Sequence, residues 1–286
     1  MPSSEEGVPF ATALVAGGLA GTSVDVALFP IDTIKTRLQS PQGFAKAGGF
    51  RGIYQGLGAA AAGSAPGAAL FFSVYETSKP KIRQLQQTLG ILPNNDSISH
   101  MLAASMGEVA ACLVRVPTEV VKAKMQTSGG GLVETVREVM TQERHGPLGF
   151  VTGGLYRGFG ITLFREIPFA MIQFPLYERS KQWIADTYHQ SSATPIQGAV
   201  CGSVSGGIAA ALTTPLDLVK TRLMLGSDKS GKPYANAMDV LRRSVSEEGA
   251  SVLLQGIQPR VMWISIGGFV FFGAYEGSKS MLLRAF

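Results

Sequence analysis

One ten-residue pattern occurs three times in this chain, and it limits the available folds more than any other feature. PIDTIKTRLQ (30–39), PTEVVKAKMQ (117–126) and PLDLVKTRLM (215–224) each place a carboxylate two residues after proline, with bases five and seven residues after it. The copies begin 87 and 98 residues apart. A second element, YETSK (75–79), YERSK (177–181) or YEGSK (275–279), follows each proline at 45, 60 and 60 residues. Between the two lies a weaker glycine element: Tyr54-Gln55-Gly56, Tyr156-Arg157-Gly158 and Leu254-Gln255-Gly256. A single proline-acid-base string is an ordinary solvated helix end. Three copies in register, each with the same downstream partner, predict three related units, 1–96, 97–192 and 193–286.

The residues around these motifs are apolar. Uncharged runs cover 7–24, 52–75, 187–216 (His189 aside) and 261–275, and two more apolar segments near 101–114 and 158–177 are broken by isolated charges. Such runs approach the roughly 20 residues that cross a bilayer as a helix. They are rich in Gly, Ala and Ser, as where membrane helices pack closely. With only 16% charged residues, six helices in a soluble core would lack the polar faces that meet water. The expected fold is an all-α membrane protein: six transmembrane helices, two per unit, in a pseudo-threefold bundle around a central cavity. An even number puts both termini on one side.

Other function classes find little support. A net charge of +5, with no basic run longer than two residues, is too mild for nucleic-acid binding. Cys112 and Cys201 lie in apolar segments and read as small buried residues. His100, His145 and His189 make no catalytic or metal-binding spacing, so neither an enzyme nor a cofactor is expected. AGGLAG (16–21) precedes no phosphate-loop lysine and suits helix packing. The acidic N-terminus, MPSSEEGVPF, is neither a secretory signal nor an Arg-rich transit peptide.

Acid and base three residues apart share a helix face. In a threefold ring they can also reach the next unit, so Asp32, Glu119 and Asp217 are expected to meet Lys122, Lys220 and Lys35. The Tyr-Glu-x-x-Lys elements can act likewise at the other end, and two breakable charge rings are what an alternating-access pore needs. Pro30, Pro117 and Pro215 are expected to kink their helices.

This triplicated pattern resembles the mitochondrial carrier family over essentially the whole chain. The resemblance implies a six-helix monomer with short matrix helices, exchanging solutes across the inner mitochondrial membrane, with cardiolipin as a lipid partner. It implies that the first ring, Asp32, Lys35, Glu119, Lys122, Asp217 and Lys220, closes the matrix side, braced by Gln39 and Gln126. Met224 stands where a third brace would be. It also implies a cytoplasmic gate of Glu76, Lys79, Glu178, Lys181, Glu276 and Lys279 with Tyr75, Tyr177 and Tyr275.

Asp25, Glu108, Arg115, Arg165 and Glu166 are apolar-segment charges outside both rings. Each costs about 2.5–3.5 kcal/mol at a helix centre, so each calls for a ligand or partner. Asp25 and Glu108 precede Asp32 and Glu119 by two and three turns and are expected to face the cavity. Arg115 either snorkels or joins the matrix ring. Arg165 and Glu166 stand about 100° apart on a helix and are poorly placed to neutralise each other. One reading pairs Arg165 with Asp25 or Glu108; the other has Arg165 take a substrate carboxylate and Glu166 an ammonium. The resemblance makes the position of Arg165 and Glu166 a substrate contact, with Gly63-Ser64 and Ile264-Ser265 as its counterparts. Asp25, Glu108 and Glu166 against Arg165 leave this set two negative charges in excess. That suits an amino acid with an extra positive charge: lysine, arginine, ornithine, a carnitine-like betaine or S-adenosylmethionine. FPIDTIKTRLQSPQGFAKAGGFRGIYQG, HMLAASMGEVAACLVRVPTEVVK and REIPFAMIQFPLYE resemble an S-adenosylmethionine-transporting branch of the family, implying exchange against S-adenosylhomocysteine. Phe169, one turn from the pair, is the first choice to face the adenine, ahead of Phe71, Phe72 and Trp263.

Overall fold

The computed structural model describes residues 26–89, 96–141, 154–189 and 194–267. Asp25 and the third Tyr-Glu-x-x-Lys element (Tyr275, Glu276, Lys279) lie outside the described residues. Within them the regular elements are helices: α1 (26–39), α2 (Leu57–Leu89), α3 (Asp96–Ser128), α4 (Leu132–Thr141), α5 (Phe159–Thr187), α6 (Pro195–Leu212), α7 (Thr214–Leu225), α8 (Ala237–Glu248) and α9 (257–267).

α2, α3 and α5 have 33, 33 and 29 residues, roughly 43–50 Å at the α-helical rise, which exceeds the ~30 Å hydrocarbon layer. Among the described helices, Leu57–Gln86 is long and apolar enough to cross a bilayer alone. Ile196–Leu212 and Thr214–Leu225 reach the same standard only when taken together, across a bend of 64°. Phe72, Phe164, Ile167, Phe174, Trp183 and Leu212 expose large apolar surfaces. An outward apolar belt of this kind suits a lipid surround better than water.

The motif prolines act differently from one another. α1 and α3 continue as helices across Pro30 and Pro117. At Pro117 the missing N–H frees the Leu113 carbonyl, and the Tyr156 hydroxyl donates to it at 3.0 Å. In the third unit the helix breaks at Thr213, and Pro215 sits in the first turn of α7. There the Thr213 and Thr214 hydroxyls donate to the carbonyls of Ala209 and Ala210 at 2.7 and 2.8 Å. Such local bonds give the backbone an alternative to the regular ladder.

The three glycine elements close the ring. Gly56, Gly158 and Gly256 have φ of 91°, 88° and 79°, a left-handed turn that a side chain resists. Each presses against the motif helix of the next unit. An added Cβ would stand 3.1 Å from the Lys122 carbonyl at Gly56, from Met224 Cγ at Gly158, and from Gln39 Cγ at Gly256. Unit one thus packs on two, two on three, and three on one.

Short amphipathic helices follow two of the motifs. α4 buries Thr135 and Val139 while exposing Val133 and Met140. α8 buries Val240 and Ser244, and its first turn is capped by Asn236, which accepts from the Asp239 N–H at 2.9 Å. Val139 joins Cys112, Val116, Val120 and Met224 in a dry cluster where α3, α4 and α7 meet. Both cysteines are free and buried.

Candidate functional site: a ring of ion pairs

The motif acids stand two residues past proline and the first bases three residues later, so each helix offers both signs on one face. The structure joins them between units, not within them. Lys122 Nζ is 2.7 Å from Asp32 Oδ2, Lys220 Nζ 2.7 Å from Glu119 Oε2, and Lys35 Nζ 2.7 Å from Asp217 Oδ2. Asp217 and Lys220 are buried. Desolvation works against such pairs, and geometry plus extra hydrogen bonds decide whether each is favourable.

Those extra bonds are unequal. Gln39 Nε2 donates to Asp217 Oδ2 at 3.0 Å, and its carbonyl oxygen accepts from the Thr221 hydroxyl at 2.7 Å. Gln126 Nε2 donates to Asp32 Oδ2 and to Thr33 Oγ1, each at 3.1 Å. Met224, the third residue at this position, lies in the apolar cluster and offers no donor to the Glu119–Lys220 pair. Asp217 has a second cation that the sequence reading missed. Arg260 on α9, 3% exposed, pairs through Nη1 with Asp217 Oδ1. The only sequence signal was its position four residues past Gly256, where the other units have Ala60 and Thr162.

The second base of each motif, unassigned from sequence, fixes the segment that follows. Arg37, 1% exposed, donates to the Gln126 carbonyl at 2.7 Å and to those of Gly49 and Arg51 at 2.8 and 2.6 Å. Lys124 reaches Glu138 on α4 at 2.9 Å. Arg222 reaches Glu248 on α8 at 2.5 Å and the Ser244 hydroxyl at 2.9 Å. Burial pushes the Glu248 carboxyl up, but Arg222 and Lys229 reverse this and hold it below its ordinary range. These bonds tie the amphipathic segments to the ring.

At the other ends of α2 and α5 the pattern changes. Lys79 lies over the ring of Tyr75 at 5.8 Å, and Lys181 over that of Tyr177 at 4.8 Å. Glu178 meets Lys181 of its own helix at 3.5 Å. Among the described residues no ion pair joins Glu76, Lys79, Glu178 or Lys181 to another unit.

The remaining charges correct the sequence reading. Arg165 and Glu166, expected to be poorly placed for each other, form an ion pair. An arginine reaches far enough to curl back across the 100° between neighbouring positions. Arg165 also lies within electrostatic reach of the ring carboxylates Glu119 and Asp217. Arg115 neither snorkels alone nor joins the ring: its Nη1 is 2.7 Å from Glu108 Oε1, two turns back on the same face. Each described carboxylate of this set, Glu108 and Glu166, thus has its own guanidinium, and adding Arg115 to the set lowers its formal excess from two negative charges to one.

Gly63 presses on α3, where an added Cβ would meet Thr118 Oγ1 at 2.2 Å, and Ser64 beside it is exposed. Ser265 donates to the Ser203 carbonyl at 3.2 Å, and Ile264 packs at Gly206. Gly63, Ile264 and Ser265 thus serve helix contacts. Phe169 is half-buried one turn from the Arg165–Glu166 pair. Phe71 is taken up by Tyr75, stacked at 6.0 Å, and by Gly107.

Comparison with known proteins gives the family of the chain. The family model described as mitochondrial carrier protein matches three times, at residues 6–85, 94–188 and 191–286. The S-adenosylmethionine mitochondrial carrier protein homolog of Drosophila melanogaster is 52% identical over 274 residues, covering 96% of this chain and 93% of its own. The putative mitochondrial carrier protein PET8 of Saccharomyces cerevisiae is 48% identical over 281 residues, covering 97% and 96%. The mitochondrial S-adenosylmethionine carrier protein of Mus musculus is 48% identical over 277 residues, covering 96% of each chain.

Proposed function

Because the chain belongs to the mitochondrial carrier family, multi-pass proteins of the inner mitochondrial membrane, we propose that it exchanges S-adenosylmethionine for S-adenosylhomocysteine across that membrane by alternating access. Relatives that bear the S-adenosylmethionine carrier name and match along almost the whole chain carry this reading. In it, six spans in three units enclose the substrate path, and a monomer with bound cardiolipin is the working unit.

The charge pairs support a zwitterionic substrate. Arg165 and Glu166 neutralise each other when no substrate is present, so neither is left bare in the empty cavity. A ligand carboxylate takes the guanidinium through a forked contact and a ligand ammonium takes the carboxylate, exchanging one pair for two. The one excess negative charge fits the sulfonium, and Phe169 offers the adenine a flat apolar face.

Three pairs link the units at the proline-acid end, while the opposite end lacks inter-unit pairs among the described residues. The three pairs suit a carrier closed toward the matrix. Substrate binding must then stabilise an intermediate in which the first ring parts as the second forms.

The test is exchange in liposomes loaded with S-adenosylhomocysteine. Labelled S-adenosylmethionine should enter, and ADP should not. Exchange of lysine, ornithine or carnitine without S-adenosylmethionine transport would replace the substrate assignment. Arg165→Ala and Glu166→Ala should each abolish exchange while the protein still folds; normal transport by both would return the pair to a structural role.

A further inference from the structure

The three acids of the ring do not face the same risk when it opens. Asp32 and Glu119 each pair directly with one ring lysine, at 2.7 Å, so parting the pair removes the cation in contact with the carboxylate. A buried charge stripped of its partner is strongly unfavourable. Asp217 is different. Its two oxygens are held by different cations, Oδ2 by Lys35 and Oδ1 by Arg260.

Arg260 is also fixed from behind. Its Nε donates to the Ala210 carbonyl at 3.2 Å and its Nη2 to the Thr213 hydroxyl at 3.0 Å, both at the α6–α7 break. Asp217, Thr213 and Arg260 all belong to unit three, whereas Lys35 comes from unit one. When units one and three separate, Lys35 leaves with α1, and Arg260 stays with Asp217. The equivalent positions, Ala60 and Thr162, provide no such cation in the other units.

Resting on the gate reading above, we propose that Arg260 is a positioning residue, a standing counterion for Asp217 that lets Lys35 depart. It makes the seam between units one and three easier to open, although it adds an ion pair to the closed state. Without it, Asp217 depends on Lys35 alone, and the closed seam is held more tightly.

The experiment measures exchange of labelled S-adenosylmethionine by the full chain in liposomes, and the distance between spin labels on K46C and R242C. Lys46 and Arg242 are exposed in units one and three, and the two native cysteines are buried. Arg260→Gln should slow exchange at least about tenfold, by the cost of stripping a buried charge, and deplete the longer label distances. Arg260→Lys should stay within a few-fold of the native rate. Adding Lys35→Gln to Arg260→Gln should recover exchange and the longer distances, which a packing role for Arg260 would not do. Native exchange by Arg260→Gln, or no relief from Lys35→Gln, would overturn the proposal. Lys122→Gln, which leaves Arg260 untouched, tests the gate reading itself: no change in either readout would overturn that reading instead.

Discussion

The two ends of the bundle carry the same kinds of charge and use them in opposite ways. At the proline-acid end, lysine and carboxylate meet between units at 2.7 Å, two pairs are braced by glutamine, and arginines anchor the neighbouring segments. At the tyrosine end, Glu178 and Lys181 meet within one helix at 3.5 Å, with the carboxylate 59% exposed. Spacing alone does not separate these cases, since both motifs place acid and base three residues apart. What differs among the described residues is burial and bracing.

The largest effect is expected at Asp217. Asp217→Ala leaves Lys35 and Arg260 without their carboxylate, and breaking a buried ion pair this way costs about 3–5 kcal/mol. Thermal unfolding in detergent should show a large drop, and exchange should be lost. An unfolding temperature near the native one would mean that the buried ring adds no more than its exposed counterpart.

Next is the anchor from α7 to α8. Arg222→Ala removes charge-assisted bonds to Glu248 and Ser244, each worth about 1.5–3 kcal/mol. The same pair predicts a pH dependence. Because the folded-state Glu248 carboxyl titrates below its unfolded value, its stabilisation is full above the ordinary glutamate range and disappears as pH falls through the lowered value. Glu248→Gln should flatten this acid limb of an unfolding-temperature profile, and an unaltered limb would count against the anchor.

A smaller effect sharpens the comparison inside the ring. Met224→Gln introduces the absent third brace, one hydrogen bond worth about 0.5–1.5 kcal/mol. Tightening the Glu119–Lys220 pair should slow exchange by roughly two- to tenfold. Faster exchange would show that the apolar cluster around Met224, not the missing brace, governs this seam.

The smallest effect belongs to the tyrosine end. Lys181→Ala breaks an exposed pair worth about 0.5 kcal/mol or less. The unfolding temperature should barely move while exchange falls, if the gate reading holds and Lys181 acts only when its ring forms. A large loss of stability would mean that this end is braced already.

The triplicated motif and the pairing order around the ring were legible in the sequence because they depend on motif register, whereas the absent brace at Met224 was read through the family resemblance. A repeat in register fixes which helix faces point inward, and faces determine which acids and lysines can meet. Arg165–Glu166 and Arg115–Glu108 were misread because helical spacing gives the direction of Cβ, whereas a guanidinium acts several bonds away. Arg260 was overlooked because it stands outside every motif, on a helix that otherwise begins an uncharged run. The shared task of Arg37, Lys124 and Arg222 was signalled only by their equal spacing from proline; their partners include backbone carbonyls, which no motif records.

Whether the three pairs act as a gate is tested most directly by exchanging the charges of one of them. Asp32→Lys and Lys122→Asp singly should each stop exchange of S-adenosylmethionine in liposomes, because like charges then face each other across the seam between units one and two. Carrying both changes restores the opposite signs and should restore transport. A double variant as inactive as either single one, or single variants that transport normally, would contradict the gate.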